Sequence, residues 1–535
     1  MVLSATNEDV SLHAVEDTAA VVLPDPLTVE GVPFRRSNAG KFSGGLAAAS
    51  HSDMFKHPDL NHKPLSKRWD HRLSAESKSR QATQLKELAK YLSKPGMLSL
   101  GGGLPSSEYF PFEEIDVKVP ALDVGNHEEI TMQIGKHDVR EGKSAYDLSI
   151  ALNYGQGSGS AQMIRWVVEH TEIVHNPPYR DWGCTLTPGS TCATEHLYRM
   201  FLEKGDYVIS EEFTFATAVE TSGPLGCRFI GVRMDDEGMI PSALDELLTT
   251  WDPISRGARK PFLVYTVPSG QNPSGATMGL ERRKEFYKIA QKHDLIILED
   301  EPYYFLQMQP YVGSDHPSPP APKTHKEFLD SLVPSLLSMD VDGRIVRLDS
   351  FSKVLSPGSR TGWITASAQL IERFTRHNEV SVQHPSGISQ IILHRLLDET
   401  WGHGGYLDWL IHLRMSYTER RNVLMKACEE HLPKEIASWT PPAAGMFHWI
   451  KLEAEKHPMF GKKSVKEIED EILETAVQEG VLVVPGSYFK SEARKPLEAR
   501  ELYVRANFAS AEFEQMTEAT RRLGVALRKS FGLKE

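Results

Sequence analysis

Only four cysteines occur in the 535-residue sequence, Cys184, Cys192, Cys227 and Cys428, and no two of them form a CxxC pair. Their scarcity excludes a disulfide-stapled secreted scaffold and a cysteine-based zinc module, and points to a reducing cytoplasm. Long apolar runs are missing too: no stretch approaches the roughly eighteen residues that cross a bilayer, so no membrane association is expected. Positive charge is in deficit, with 60 Lys and Arg against 72 Asp and Glu and a net charge of -12. Nucleic acid is therefore not expected as a partner. The first residues carry Glu8, Asp9, Glu16 and Asp17 where a transit peptide would carry arginine, and the closing "FGLKE" is no receptor-read address. No repeat of fixed period is present. A chain of this length is expected to divide into two lobes.

What is present is alternation. After a polar stretch from Met1 to about Pro64, a helical pattern over Gln84 to Leu92 ends at "SKPG", and "MLSLGGGLP" reads as a short strand entering a glycine turn. His51, His57 and His62 are irregularly spaced, which favours a solvated loop over a metal site, and no metal is expected. Short β-branched runs then alternate with amphipathic helices. The clearest runs are "CTLT", "DYVIS", "CRFIGVRM", "PFLVYTV", "DLIILED" and "GRIVRLDS". This pattern predicts an α/β fold with a mostly parallel sheet covered by helices on both faces, whose ligands sit beyond the carboxyl ends of the strands. A Pro-rich insert at about 309–340 interrupts it, beginning as a surface excursion. From about Trp401 long charged helices lead to "GMFHWIKL", "GVLVVPG" and "LYVRANF", the texture of a smaller α+β lobe.

The strand ends carry chemistry. In "LTPGSTCATEH" a glycine turn precedes Ser190 and Thr191, which open a helix and set hydroxyls, free N–H groups and the positive dipole end at one point. This suits a phosphate, although an ordinary serine cap reads the same way. In "LDSFSKVLSPGSRTGW", Ser350 and Ser352 are two apart and Arg360 offers a planar fork of donors to the same anion. Lys353 sits beside that pocket, and a partly desolvated lysine near another cation has a lowered pKa and can attack a carbonyl to form a Schiff base. In "DLIILEDEPYY", Glu299, Asp300 and Glu301 follow a wholly apolar strand, so at least one carboxylate is held near the interior and needs a cation. A pyridinium nitrogen is one such cation. Tyr303 and, in "QNPSG", Asn272 are placed to reach a phenolic oxygen on the same ring. Lysine, an acid for a ring nitrogen and a phosphate cradle are the elements of a pyridoxal phosphate site.

These motifs, with "SLGGGLP", "TPGS" and "LYVRANF", resemble the type I fold of pyridoxal-phosphate-dependent class I/II aminotransferases over about Arg80 to Leu527. Within them the resemblance is to fungal aromatic amino acid aminotransferases and kynurenine/aminoadipate aminotransferases. It implies an N-terminal extension at 1–66, poorly ordered or draped over the surface, and an arm at 67–125 that packs with the small domain and lines the substrate pocket. A large cofactor-binding domain at 126–395 and a small C-terminal domain at 396–535 would follow. It implies that Lys353 forms the Schiff base and moves the substrate's Cα proton, and that Asp300 keeps the ring nitrogen protonated. Asn272 and Tyr303 would hold the ring phenolate, and Ser190, Thr191, Ser350, Ser352 and Arg360 the phosphate. Phe215 would stack on the ring where the family commonly has tyrosine, and Arg505 would grip the substrate carboxylate. Tyr154, in "LNYGQGSG", would reach the phosphate of a neighbouring subunit, implying a homodimer with shared sites.

Gly103, Leu104 and Phe447 correspond to parts of the substrate pocket. The arginine that some members carry on the N-terminal helix has no clear counterpart, Lys86 being nearest and Arg80 next. The implied reaction moves the amino group of an aromatic amino acid to a 2-oxo acid such as 2-oxoglutarate; 2-aminoadipate or kynurenine transamination and specialised metabolism are the alternatives. A lyase or decarboxylase on the same cofactor, or a non-catalytic sensor of the same fold, are more distant readings. A nicotinamide dehydrogenase is disfavoured, because no GxGxxG follows a first strand.

Overall fold

In a computed structural model of the chain, residues 26–39, 45, 51–82, 91, 96, 100–101, 103–122, 129–492 and 495–534 are described. Apart from Tyr91, the Gln84–Leu92 helical pattern lies outside them, as do residues 97–99 and 102 of "MLSLGGGLP".

Within the extension expected over 1–66 to be poorly ordered or draped over the surface, helix α1 (Gly31–Asn38) lies against the rest of the chain. Its Arg35 is buried against Glu172, and its Arg36 reaches Glu169 at 2.8 Å. Lys56 is buried and donates to the carbonyls of Arg180 and Trp182 at 2.9 and 2.7 Å. Sequence polarity here does not mean solvation, because these cations answer carboxylates and carbonyls buried under them.

Of the arm expected over 67–125, residues 67–82 pack on the large domain. The indole of Trp69 is fully buried in the main core, Ser74 donates to Arg199 O at 2.6 Å, and Arg373 donates to the carbonyls of Ser77 and Arg80. Further on, β1 (Glu114–Pro120) and β2 (Glu129–Gly135) form an antiparallel pair. Helix α2 (Ala161–Val174) carries Glu169 and Glu172, the anchors of α1.

The central sheet follows. Its strands are β3 (Trp182–Thr187), β4 (Tyr207–Glu211), β5 (Arg228–Val232), β6 (Leu263–Thr266), β7 (Ile296–Asp300), β8 (Ile345–Ser350) and β9 (Gly362–Ser367), in the order β3-β9-β8-β7-β6-β4-β5. Each of the six β-branched runs picked from the sequence contributes one strand. The seventh, "GWITAS", is antiparallel to both its neighbours. Ile296, Ile297 and Leu298 of β7 are fully buried, as expected for a strand covered on both faces. Because β9 runs against β8 and β3, Gly362 pairs with both Ser350 and Thr187. That register brings the carboxyl ends of β3 and β8 to one edge, with helix α3 (Ser190–Phe201) starting there and the Lys353 loop closing over it. Helix α4 (Ala368–Asn378) leads away from β9.

The small lobe has a four-stranded sheet and its own core. Helix α5 (Gly402–His431) enters it, followed by β10 (Ala437–Trp439), β11 (Phe447–Leu452), β12 (Val484–Pro485), β13 (Tyr503–Asn507) and helix α6 (Phe513–Phe531), with sheet order β10-β11-β13-β12. Leu407 and Leu410 of α5 sit in the main core while Leu424 and Met425 sit in the second. The division between lobes thus falls inside α5 and not at residue 396. The Pro-rich insert is tied to the same helix, Tyr311 and Ser314 donating to Glu429 at 2.6 and 2.7 Å. Its second half turns inward, burying Phe328, Leu332, Leu336 and Leu337.

Arg35→Ala leaves the buried Glu172 carboxylate with the His57 N–H on one oxygen and without the Arg35 cation on the other. The variant is expected to lose about 3 kcal/mol of stability, as for other buried pairs broken on one side. Urea unfolding followed by far-UV circular dichroism would register this as a lower midpoint with an unchanged native spectrum.

Candidate active site

The three acids that end β7 have different fates. Side chains alternate along a strand, so Glu299 and Glu301 point one way and Asp300 the other. Glu299 accepts from the N–H groups of Leu336 and Leu337 at 2.7 and 3.1 Å and lies 3.2 Å from Arg347. Glu301 accepts from Ser269 at 3.0 Å and from Arg283 at 3.4 Å. Arg347 in turn grips Asp349 with two bonds of 2.8 Å. All five charged groups are buried. Asp300 has no arginine among the described residues. Its Oδ2 accepts from Tyr265 at 2.6 Å, and its buried Oδ1 has no hydrogen-bond partner. Burial pushes its carboxyl up to about 6, against the opposing pull of the Tyr265 hydroxyl and of the nearby Ser190 hydroxyl, which lies too far off or too poorly aligned to count as a hydrogen bond. An oxygen so placed suits a cationic N–H.

The same strand edge holds the groups expected to bind an anion. Gly189, not a serine, caps α3; the hydroxyl of Ser190 is spent on no cap and is buried without a partner, and Thr191 is exposed. Arg360 crosses to this turn, donating to Pro188 O at 3.2 Å. A β-carbon on residue 189 would lie 2.4 Å from the Arg360 guanidinium, and φ there is +88°, so glycine is required twice over. Ser350 donates to Ser352 Oγ at 2.7 Å and accepts from the Ser352 N–H at 3.1 Å, which holds both hydroxyls at the loop's start. Lys353 is half-buried beside them. Burial and the charge of Arg360 both lower its pKa, the direction that favours a nucleophilic amine.

Residues from the small lobe complete the cleft. Arg505 of β13 donates to Asn272 Oδ1 at 2.7 Å, which turns the Asn272 amide nitrogen to the other side. The guanidinium lies between two rings, 4.2 Å from Phe447 and 4.5 Å from Phe489, and no carboxylate pairs with it among the described residues. Tyr303 is buried and meets Phe447 edge-on at 5.9 Å, and burial together with the Asp300 charge raises its phenol. Phe215 caps a short helix and packs on the main core.

Two sets of residues lie elsewhere. Tyr154 is 62 % exposed, its N–H held by Asn153 Oδ1 at 2.9 Å. Gly103 and Leu104 lie exposed in a loop whose next residue, Pro105, accepts from Asn153 at 3.0 Å. Tyr265 and Phe489 were not legible in the sequence. Tyr265 reads as one more core residue of "PFLVYTV", and only the pairing of β6 with β7 brings its hydroxyl to Asp300.

A sheet with one reversed strand, and the lysine, buried acid and arginines placed about its carboxyl ends, suit a group-transfer enzyme. The chain belongs to the family described as Aminotransferase class I and II, whose sequence model matches residues 150–523. It is 44% identical over 474 residues to an aromatic amino acid aminotransferase of Schizosaccharomyces pombe, covering 86% of this chain and 98% of the relative. It is 35% identical over 443 residues to an L-tyrosine:2-oxoglutarate aminotransferase of Serpula lacrymans, covering 78% and 83%. The crystal structure of aminotransferase Aro8 from Candida albicans superposes with a TM-score of 0.80 at 40% identity, covering 88% of this chain and all of that one. The fold is accordingly the type I fold of pyridoxal-phosphate-dependent transferases.

Asp300 binds its proton more tightly folded than unfolded, so it takes stability away as pH rises from about 4 to about 6. Asp300→Asn is expected to remove that part of the slope in the cofactor-free protein, a difference of up to roughly 3 kcal/mol. Tyr265→Phe should move the Asp300 carboxyl further up, which carbonyl-labelled NMR would read directly.

Proposed function

We propose that the chain transfers the amino group of an aromatic L-amino acid, phenylalanine, tyrosine or tryptophan, to a 2-oxo acid such as 2-oxoglutarate, with pyridoxal 5'-phosphate as cofactor. The observation that carries this reading is Asp300, a buried acid given a tyrosine but no arginine, at the strand edge that also presents Lys353 and Arg360. The available groups fit the cofactor. Ser190, Thr191, Ser350, Ser352, Arg360 and the N–H groups opening α3 would hold its phosphate. Asp300 would pair with its ring nitrogen, Asn272 and Tyr303 with its phenolic oxygen, and Phe215 with its face.

Pyridoxal phosphate supplies an aldehyde that exchanges amino groups and a protonated ring that withdraws electrons. The chain's own residues do the rest. Asp300, buried and without a cationic partner among the described residues, would hold the ring proton. Lys353 Nζ, its pKa lowered, would hold the cofactor and would take the proton from the substrate's Cα. Arg505, braced by two aromatic rings and by Asn272, orients the substrate through its carboxylate. Phe447, Tyr303 and Phe489 around that arginine offer apolar surface to an aromatic side chain, in keeping with the names of the relatives. Gly103 and Leu104 belong to the same substrate-side reading.

The exposed Tyr154 supports a homodimer in which this side chain completes the neighbouring phosphate site. Four free cysteines support a cytoplasmic setting.

Mixing the enzyme with L-phenylalanine or L-tyrosine and no oxo acid is expected to convert the cofactor to its amine form and release one equivalent of the aromatic oxo acid. Carbon dioxide or ammonia in its place overturns transamination. Lys353→Ala is expected to abolish turnover and covalent fixing of the cofactor by borohydride. Arg505→Leu should raise KM for every amino donor by roughly 10²-fold, as expected when a partner of a buried ion pair is removed. A loss confined to one donor would contradict the carboxylate role.

A further inference from the structure

We infer that Gln271 is a positioning residue for substrate binding: its side chain closes a ring of contacts between the lobes that sets Arg505 and Asn272 relative to the segment bearing Phe215. The inference rests on the reading of Arg505 as the group that takes the substrate carboxylate. In "QNPSG" Gln271 stands directly before Asn272, and it is buried. Both ends of its amide are committed. The nitrogen donates to Phe213 O at 2.7 Å, and the oxygen accepts from the Ser274 N–H at 2.9 Å and from the Ser274 hydroxyl at 2.6 Å. A carbonyl can only accept and a backbone N–H can only donate, so these partners fix which end of the amide faces which way. One end closes the turn that carries Asn272, and the other ties that turn to the stretch following β4.

Followed outward, the two ends meet again. Phe213 is followed by Thr214, whose N–H donates to Phe489 O at 2.8 Å in the small lobe. The Phe489 ring lies 4.5 Å from the Arg505 guanidinium, and Arg505 returns to the large lobe by donating to Asn272 Oδ1 at 2.7 Å. The circuit through Gln271, Phe213, Thr214, Phe489, Arg505 and Asn272 is therefore closed and crosses between the lobes twice. The turn is also seated tightly on the small lobe. A β-carbon on residue 270 would lie 2.5 Å from Gly445 N, and one on residue 275 would lie 2.6 Å from Phe447 O. A tilt of the turn is thus passed to the strand bearing Phe447, the second ring on Arg505.

The acid nearest this amide does not compete for it. Glu211, the last residue of β4, is buried and accepts from Thr266 Oγ1 at 2.5 Å. Burial pushes its carboxyl up to about 7, with the Thr266 hydroxyl and the Gln271 amide pulling the other way. Below that pH it is neutral, and the amide nitrogen is left to Phe213 O. Filling space is met by any side chain of this volume. An amide whose two ends hold main chain of different elements fixes a distance as well, and here the distance is the one between the Phe215 segment and the Asn272 turn.

The test is a double-mutant cycle read by calorimetry, with the pyridoxal-phosphate-loaded enzyme binding 3-phenylpropionate, an aromatic carboxylate that has no amino group to transfer. Gln271→Met and Phe489→Leu are each expected to weaken binding about 10-fold. The double variant is expected to bind within about 2-fold of the weaker single variant, because either change opens the same ring; independent roles multiply to about 100-fold. Gln271→Glu keeps the Ser274 bonds. It is expected to match the wild type at acid pH, where its protonated carboxyl donates to Phe213 O, and to fall behind as pH rises and it ionises beside Glu211. Binding by Gln271→Met within about 2-fold of the wild type, or multiplied losses in the double variant, overturns the inference. Should Gln271→Met fail to fold, a ratio of Gln271→Glu to wild-type binding that does not change with pH overturns it. Binding to Arg505→Leu as tight as to the wild type overturns instead the carboxylate reading on which the inference rests.

Discussion

A carboxylate buried without a cation is the constraint on which the centre of this protein turns. Strand β7 is apolar to its last turn and then ends in three acids, none of which has water to solvate it. Alternation along the strand sends Glu299 and Glu301 to one face, where Arg347 and Arg283 compensate them, and leaves Asp300 on the other with a tyrosine. The surrounding core therefore stores an electrostatic demand at a single oxygen. The rest of the site is arranged around that demand: the Lys353 loop closes over the next strand, and Arg360 pulls it against the turn at Gly189.

The two lobes meet across the same point. Helix α5 carries apolar residues into both cores, so the lobes share a rigid element rather than a linker. The stretch bearing Phe215 is zipped to the small lobe, with Thr214 N–H donating to Phe489 O at 2.8 Å and Ser491 N–H to Glu212 O at 3.0 Å. Phe489 belongs to that zipper and also stacks on Arg505, so this arginine is braced by the contact that holds the lobes together.

Much was legible in the sequence, and the reasons are local. Six strands announced themselves by β-branched runs, and the lysine, aspartate, asparagine and arginine stand at the ends of such runs in marked motifs. Strand β9 was passed over because "GWITAS" lacks a long apolar run, although its reversal is what brings β3 and β8 into register. The N-terminal stretch misled for the opposite reason: Arg35 and Lys56 look like solvated surface until their buried partners on α2 and beside β3 are known.

By itself the sequence determined the α/β class, the strand ends at which a site is to be sought, and the residue types that point to a pyridoxal phosphate site, because periodicity and short motifs depend on neighbours along the chain. Only the tertiary structure decided which of three adjacent acids lacks a cation, that Tyr265 meets Asp300 and Phe489 meets Arg505, and that α3 and α4 bring two distant histidines into contact. Those outcomes depend on strand register and helix packing, where partners separated by tens or hundreds of residues meet and no local pattern records the meeting.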